Sequence, residues 1–175
     1  MDETISLLTR TPRALDALLR DLPESWTHRN EGEGTWTVFD VIGHLVHLEH
    51  TDWIPRVRRI LEHGESKPFD KLDRTAMMRE SVGKSLPQLL DEFAAARAAS
   101  LRELAALTLS PDDLQRTGSH QALGVVTLGN LLSTWAAHDL THLHQISRIM
   151  AYQYRAEVGP WTRFLGVLQC GGHSE

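Results

Sequence analysis

The chain has 175 residues, a length typical of one domain that buries a stable core without disulfides or other cross-links. Its 41% hydrophobic and 23% charged residues are typical of a globular protein, and its net charge of −5 argues against nucleic acid as a partner. The single cysteine excludes an internal disulfide, and the acidic start lacks the basic segment of a secretory signal. No apolar run is long enough for a membrane span, so we expect one cytoplasmic domain over residues 1–175.

The first predicted helix covers about residues 3–22, where leucines and an isoleucine recur at helical spacing. Pro12 lies early in this segment, and we expect it to end a short first turn or to restart the helix with Thr11 as its N-cap. Pro23 then ends the helix.

The second predicted helix begins at Thr37, which forms a capping-box pattern with Asp40. The helical pattern continues to about His63, and Gly64 is a suitable residue to follow the helix end. Pro55 lies inside the pattern, so we expect a kink there, because proline removes a backbone donor and clashes one turn back.

The remaining helices are predicted over about residues 85–107 and 127–154, with Ser85 and Thr127 as N-caps. A charged, lysine-containing segment of about 20 residues, 64–84, joins helices two and three and is expected to be partly helical. A short helix is also expected at 160–168. No segment shows strand alternation. Four amphipathic helices predict an all-α fold, a four-helix bundle with a long crossover between helices two and three.

Two of the ten histidines stand four residues apart in the fourth helix, His138 and His142. This spacing stacks them on one face, where two imidazoles converge on one ion at bond lengths of about 2.0–2.1 Å for zinc. Their stripe also carries Trp135 and points to the core. His144 lies about 200° around the helix from His142, so we expect it to face solvent.

A third ligand must come from another helix, and the second helix offers His44 on its inner stripe. His47 is only about 60° away, so the spacing leaves both open, whereas His50 is expected to be exposed. The alternative is that the histidines are buried core residues that bind no metal. Burial of several polar rings is unfavourable unless each has a partner, and a shared ion would satisfy all of them.

Several polar residues near the predicted ligands are candidates for supporting roles. Gln145 lies two turns after His138 at nearly the same angle around the helix. It is expected either to hydrogen-bond a metal-bound ligand or only to pack in the core. Asp40 either orients the ring of His44 or only caps the helix. Asp139, about 100° from the ligand face, is expected to be solvated. Glu49 is expected to act as an acid or base only if the second helix turns it inward.

These residues resemble the motifs of the DinB/YfiT-like superfamily of metal-dependent four-helix-bundle proteins. A tryptophan and a hydroxyl residue, Trp36 and Thr37, open the second helix, and His44 follows eight positions after the tryptophan. The HxxxH pair at His138 and His142 matches the second motif, and residues 109–114 are typical of the loop between helices three and four. The resemblance covers nearly the whole chain. It implies His44 rather than His47 as the first ligand, and an up-down-down-up bundle.

Three histidines leave coordination positions open, as in catalytic metal sites. We expect zinc, and nickel, iron and manganese are also compatible with histidine ligands. The resemblance implies relatives that include S-transferases using a low-molecular-weight thiol and isomerases. For this chain we expect a small-molecule substrate and a metal-dependent transferase, of the small-thiol S-transferase type, or a hydrolase. The alternatives are a non-catalytic metal-binding or stress-related bundle, and a bundle that only forms interfaces. A homodimer is compatible with the fold, although no residue indicates one.

Overall fold

The computed structural model describes residues 1–73 and 75–170, and it is mostly helical. Its helices are α1 (Asp2–Leu19), α2 (Glu24–Thr27), α3 (Val38–Thr51), α4 (Trp53–His63), α5 (Ala76–Glu80), α6 (Leu86–Ala106) and α7 (Leu128–Tyr152). A two-stranded antiparallel hairpin of β1 (Thr117–His120) and β2 (Gly124–Thr127) precedes α7. Short 3-10 turns cover Gly64–Ser66, Asp113–Gln115, Gly159–Phe164 and Gly166–Leu168. Among the described helices, none is both long and apolar enough to cross a bilayer.

The helices α1, α3 with α4, α6 and α7 form the predicted four-helix bundle. The direction of α6 relative to α1 follows from two contacts. Near the start of α1, the carbonyl oxygen of Leu8 accepts a hydrogen bond from Arg97, whereas Arg20, just after α1, pairs with Asp91. An early residue of α1 therefore contacts a later residue of α6, and the end of α1 contacts an earlier one. The two helices are antiparallel.

The helix α3 runs antiparallel to α7. Glu49, late in α3, accepts a hydrogen bond from Trp135, early in α7. His44, one turn earlier in α3, lies with its ring centroid 4.9 Å from that of His142, about two turns later in α7. The two histidine-bearing helices therefore cross the same level of the bundle from opposite directions.

The helices α3 and α6 run parallel. Gly43 contacts Ser81, which precedes α6, and Glu49 pairs with Arg97 in the middle of α6. With α1 taken as up, α3 and α6 run down and α7 runs up, which confirms the up-down-down-up order. The crossover from α4 to α6 makes this order possible, and the small helix α5 within it packs on α3. The expectation of a partly helical crossover is confirmed.

The start of α3 is fixed by the predicted capping box. The Thr37 hydroxyl accepts from the Asp40 backbone N–H at 3.1 Å, and the Asp40 carboxylate accepts from the Thr37 N–H at 2.8 Å. The predicted kink near Pro55 is instead a break, because α3 ends at Thr51 and α4 begins at Trp53. Proline has no N–H, so it fits the first turn of the new helix.

The expected interruption of the first helix at Pro12 is wrong. The helix α1 is continuous from Asp2 to Leu19 with Pro12 inside it. Thr11 is not an N-cap, since it lies buried within the helix and its hydroxyl hydrogen-bonds the Leu7 carbonyl at 3.3 Å. Ser85 and Thr127 do cap α6 and α7, and each forms a capping box. The expected short helix near the end consists of 3-10 turns.

The hairpin was not predicted, because its strands are only four residues long and contain glycine. The close packing of β1 on the core explains why position 118 is a glycine. A Cβ at this position would lie 2.7 Å from Ile60 Cγ1 and 3.2 Å from the Phe69 ring. Both neighbours are buried, so a side chain at position 118 would push the strand away from the core.

We expect Gly118→Ala to lower the free energy of unfolding by about 1–3 kcal/mol, because the added methyl overpacks the contact with Ile60 and Phe69. Chemical denaturation measures the loss. The control is Gly166→Ala, where a Cβ would meet nothing within 4 Å. Equal stability of the two variants would show that the hairpin moves away without cost.

Candidate metal centre

Three histidine side chains meet between α3 and α7. The Nε2 atom of His138 lies 3.3 Å from Nε2 of His44 and 3.0 Å from Nε2 of His142. Each of the three offers a nitrogen within 4.8 Å of the others, and they form the one such cluster found among the described residues. The structure thus brings together the three residues that the sequence analysis proposed as ligands.

The spacing of these nitrogens fits one shared ion. Ligands bonded at about 2.0–2.1 Å lie about 3.3 Å apart at a tetrahedral angle and about 2.9 Å apart at a right angle. The observed 3.0 and 3.3 Å fall in this range. Nitrogen donors of this kind suit zinc and several other divalent transition ions.

Burial keeps two of these rings neutral. His142 is 1% exposed, and burial lowers the pKa of its imidazole below the usual value. Burial also lowers the pKa of His138 to about 2, with smaller contributions from His142 and His44. A neutral imidazole keeps a lone pair for coordination, so both rings are competent ligands without the loss of a proton.

Hydrogen bonding within the triad leaves a conflict that a cation resolves. The Nδ1–H of His142 donates to Gln145 Oε1 at 2.8 Å, so Nε2 of His142 carries a lone pair. If His138 Nε2 also carries a lone pair, the two lone pairs face each other at 3.0 Å. If it carries the proton instead, the buried Nδ1 of His138 becomes an acceptor with no partner among the described residues. A positive ion at the Nε2 atoms removes the repulsion.

Two tryptophans border the triad. The half-buried Trp36, just before α3, lies with its ring centroid 4.9 Å from His44 and 6.4 Å from His142. Trp53, the first residue of α4, meets His138 edge-on at 5.2 Å. The break between α3 and α4 places Trp53 here. These rings limit the access of water and lower the local polarity of the site.

The other histidines near the motifs point elsewhere. His47 is buried, but its Nδ1 pairs with Glu80 of α5 at 2.9 Å, away from the triad. His50 and His144 are exposed, as predicted. Of the α3 histidines, only His44 joins the cluster of described residues. Cys170 is also exposed.

The structure contradicts the expectation for Asp139 and meets the condition set for Glu49. Asp139, expected to be solvated, is 1% exposed. Glu49 does turn inward, where its carboxylate pairs with Arg97. Arg97 Nη1 donates to Asp139 Oδ2 at 2.6 Å, and its Nε donates to Glu49 Oε1 at 2.9 Å. Burial raises the pKa of Glu49, and the charge of Arg97 opposes this rise.

Arg97 is not among the residues predicted from the sequence, although its position in α6 carries a signal. In α6, Arg97 follows Phe93 by four residues and precedes Ser100 and Leu104 on the same face, all of them buried. A charged residue on an apolar helical stripe indicates a buried ion pair. The partners could not be read from α6 itself because they belong to α3 and α7.

Comparisons with known proteins identify the family of the chain and match its fold. Residues 7–146 match the family described as the DinB superfamily. A protein of Oceanobacillus iheyensis, named "putative metal-dependent hydrolase", is 27% identical over 150 residues, which is 85% of each chain. YfiT from Bacillus subtilis, titled a "probable metal-dependent hydrolase with an unusual four-helix bundle topology", superposes with a TM-score of 0.73 at 22% identity, covering 89% of this chain and 87% of YfiT. The four-helix bundle protein TT2238 gives a TM-score of 0.55 at 27% identity, covering 81% and 94%.

Proposed function

Because the chain belongs to the DinB superfamily, we propose that it is a metal-dependent hydrolase whose divalent ion is held by His44, His138 and His142. The observation that carries this proposal is the convergence of three Nε2 atoms at ligand spacing. The name of one relative supports it, since the Oceanobacillus protein is named a "putative metal-dependent hydrolase".

The donor set favours a catalytic ion over a structural one. The cluster found among the described residues has three histidines and no fourth protein ligand, which leaves positions for a substrate or water. Structural zinc sites, in contrast, are closed by four protein ligands. When bound, such an ion supplies Lewis-acid activation of water or of a substrate carbonyl. Zinc is the ion we propose first, and nickel, iron and manganese are the alternatives to test.

The residues of this chain hold and shield the site. The three imidazoles bind the ion as neutral ligands, and Gln145 accepts a hydrogen bond from His142. The rings of Trp36 and Trp53 exclude bulk water from two sides. We propose a small-molecule substrate, and His138 is the most exposed of the three ligands that would face it.

A small-thiol S-transferase is the second candidate, and the charge of the site favours it. Three neutral ligands would leave a divalent ion its full double positive charge, which would favour the anionic form of a thiol substrate. Both candidates share the ligand set, and they differ in whether water or a low-molecular-weight thiol attacks the substrate.

Metal removal tests the proposed function. We expect dialysis against a strong chelator to abolish the hydrolysis of a panel of small esters and amides, and stoichiometric zinc or nickel to restore it. The same panel with added low-molecular-weight thiols separates the candidates, since product that retains the thiol identifies a transferase. Wild-type protein that binds none of the four metals would contradict the proposal. A protein that binds metal but is inactive with and without thiols would support a non-catalytic role.

A further inference from the structure

Gln145 lies three residues after His142 on the inner face of α7 and is itself buried. We propose that Gln145 is a positioning residue that fixes His142 as the Nδ1–H tautomer, so that its Nε2 lone pair always faces the ion. This inference rests on the proposed function, because the triad must bind metal for the tautomer to matter to affinity.

The geometry of the hydrogen bond supports this role. His142 Nδ1 and Gln145 Oε1 are 2.8 Å apart, a distance typical of a good N–H···O bond. A side-chain amide oxygen only accepts, so the proton must be on Nδ1 of the imidazole. His142 is 1% exposed and Gln145 is 5% exposed, so water does not compete for this bond.

The three ligands are not equivalent in this respect. The Nδ1 atom of His138 is buried and has no hydrogen-bond partner among the described residues, whereas that of His142 is paired. A metal-bound histidine requires its lone pair on the ligating nitrogen, and a partner for the other nitrogen sets this state in advance. Within α7, therefore, the tautomer of His142 is fixed before metal binds, whereas that of His138 is not.

The bond predicts a measurable contribution to metal binding. Loss of a partner that orients a histidine ligand typically weakens metal affinity by about 10–100-fold. Gln145→Met removes the acceptor with little change in volume, so we expect zinc affinity to fall by about this factor. Gln145→Glu keeps an acceptor oxygen in place, and we expect it to bind zinc at least as tightly as the wild type.

The first experiment reads the tautomer without any substitution. Long-range proton–nitrogen NMR spectra of metal-free protein distinguish the Nδ1–H from the Nε2–H form of each histidine. We expect His142 to be Nδ1–H in metal-free protein and to stay so when zinc is added. A metal-free His142 in the Nε2–H form, or an equal mixture of the two, would overturn the assignment of Gln145.

The second experiment measures zinc dissociation constants by competition with a chromophoric chelator. The variants are Gln145→Met and Gln145→Glu, and the control is Gln153→Met at the end of the same helix. Gln153 hydrogen-bonds the carbonyls of Ile149 and Asn30 and does not contact the triad. Weaker binding by Gln145→Met alone, together with a His142 that loses the Nδ1–H form, supports the proposal.

The two proposals fail in different ways. Wild-type protein that binds no zinc would contradict the metal site, and the NMR spectrum would still test the tautomer. Wild-type protein that binds zinc, with Gln145→Met binding within a factor of two of it, would overturn the role of Gln145 and leave the metal site intact. Equal losses in Gln145→Met and Gln153→Met would show a general effect on α7 and would also overturn it.

Discussion

Replacing His142 with alanine is expected to reduce bound metal from about one ion per chain to nearly none, because three-histidine sites depend on every ligand. The remaining pair would be His44 and His138, with Nε2 atoms 3.3 Å apart. Two neutral imidazoles do not hold a divalent ion against a competing chelator. Elemental analysis of tag-free protein, wild type and variant, measures both the ion and its stoichiometry.

The matched control is His144→Ala, two residues along the same helix. His144 is exposed and lies outside the cluster, so we expect its variant to keep full metal content. The same measurement with His47→Ala tests the choice between the two α3 histidines, since His47 faces Glu80. Metal that survives His142→Ala but not His47→Ala would contradict the ligand set. Loss in all three would point to general unfolding.

The core of the candidate site could be predicted because its signals are local. An HxxxH pair on an inward stripe depends only on the helical repeat, so His138 and His142 were found from spacing. The choice of His44 over His47 required the family motif, since both lie within about 60° on α3. The two histidines differ in the helix that each ring contacts. His44 contacts His138 of α7, whereas His47 pairs with Glu80 of α5.

Two other expectations failed because burial depends on all neighbouring helices. Asp139 lies about 100° around α7 from the face that carries His138 and His142. If α7 contacted the core only along a narrow stripe, the Asp139 side chain would be exposed. In this bundle α7 contacts both α1 and α3, so its buried surface is wider and includes Asp139. Pro12 illustrates the opposite case, since a helix packed along its length tolerates a proline that the local pattern predicts as a break.

The buried ion network around Arg97 connects all four helices of the bundle. Arg97 of α6 donates to the Leu8 carbonyl of α1 at 2.9 Å, to Glu49 of α3 and to Asp139 of α7. Its guanidinium also stacks near the rings of Phe93 and Trp135. Because Asp139 adjoins His138 in sequence, the network also holds the part of α7 that carries the first histidine of the proposed ligand pair.

We expect Arg97→Met to lower the free energy of unfolding by about 3–5 kcal/mol, because it leaves the buried carboxylates of Glu49 and Asp139 without their counter-charge. Urea denaturation followed by circular dichroism measures the loss. The control is Arg58→Met, which removes an ion pair at 2.7 Å between the exposed Arg58 and the half-buried Glu103, and should change stability by less than about 1 kcal/mol.

A triple variant separates the loss of the arginine from the burial of unpaired charge. Replacing Glu49, Arg97 and Asp139 together with methionine or leucine removes every charge of the network, and similar replacements in other proteins are neutral or stabilising. We therefore expect the triple variant to be more stable than Arg97→Met. A triple variant that is as unstable as the single one would mean that Arg97 contributes through its packing against Phe93 and Trp135 rather than through charge. If the triple variant also folds but binds zinc more weakly, the network's second role is to hold His138 in register with His44.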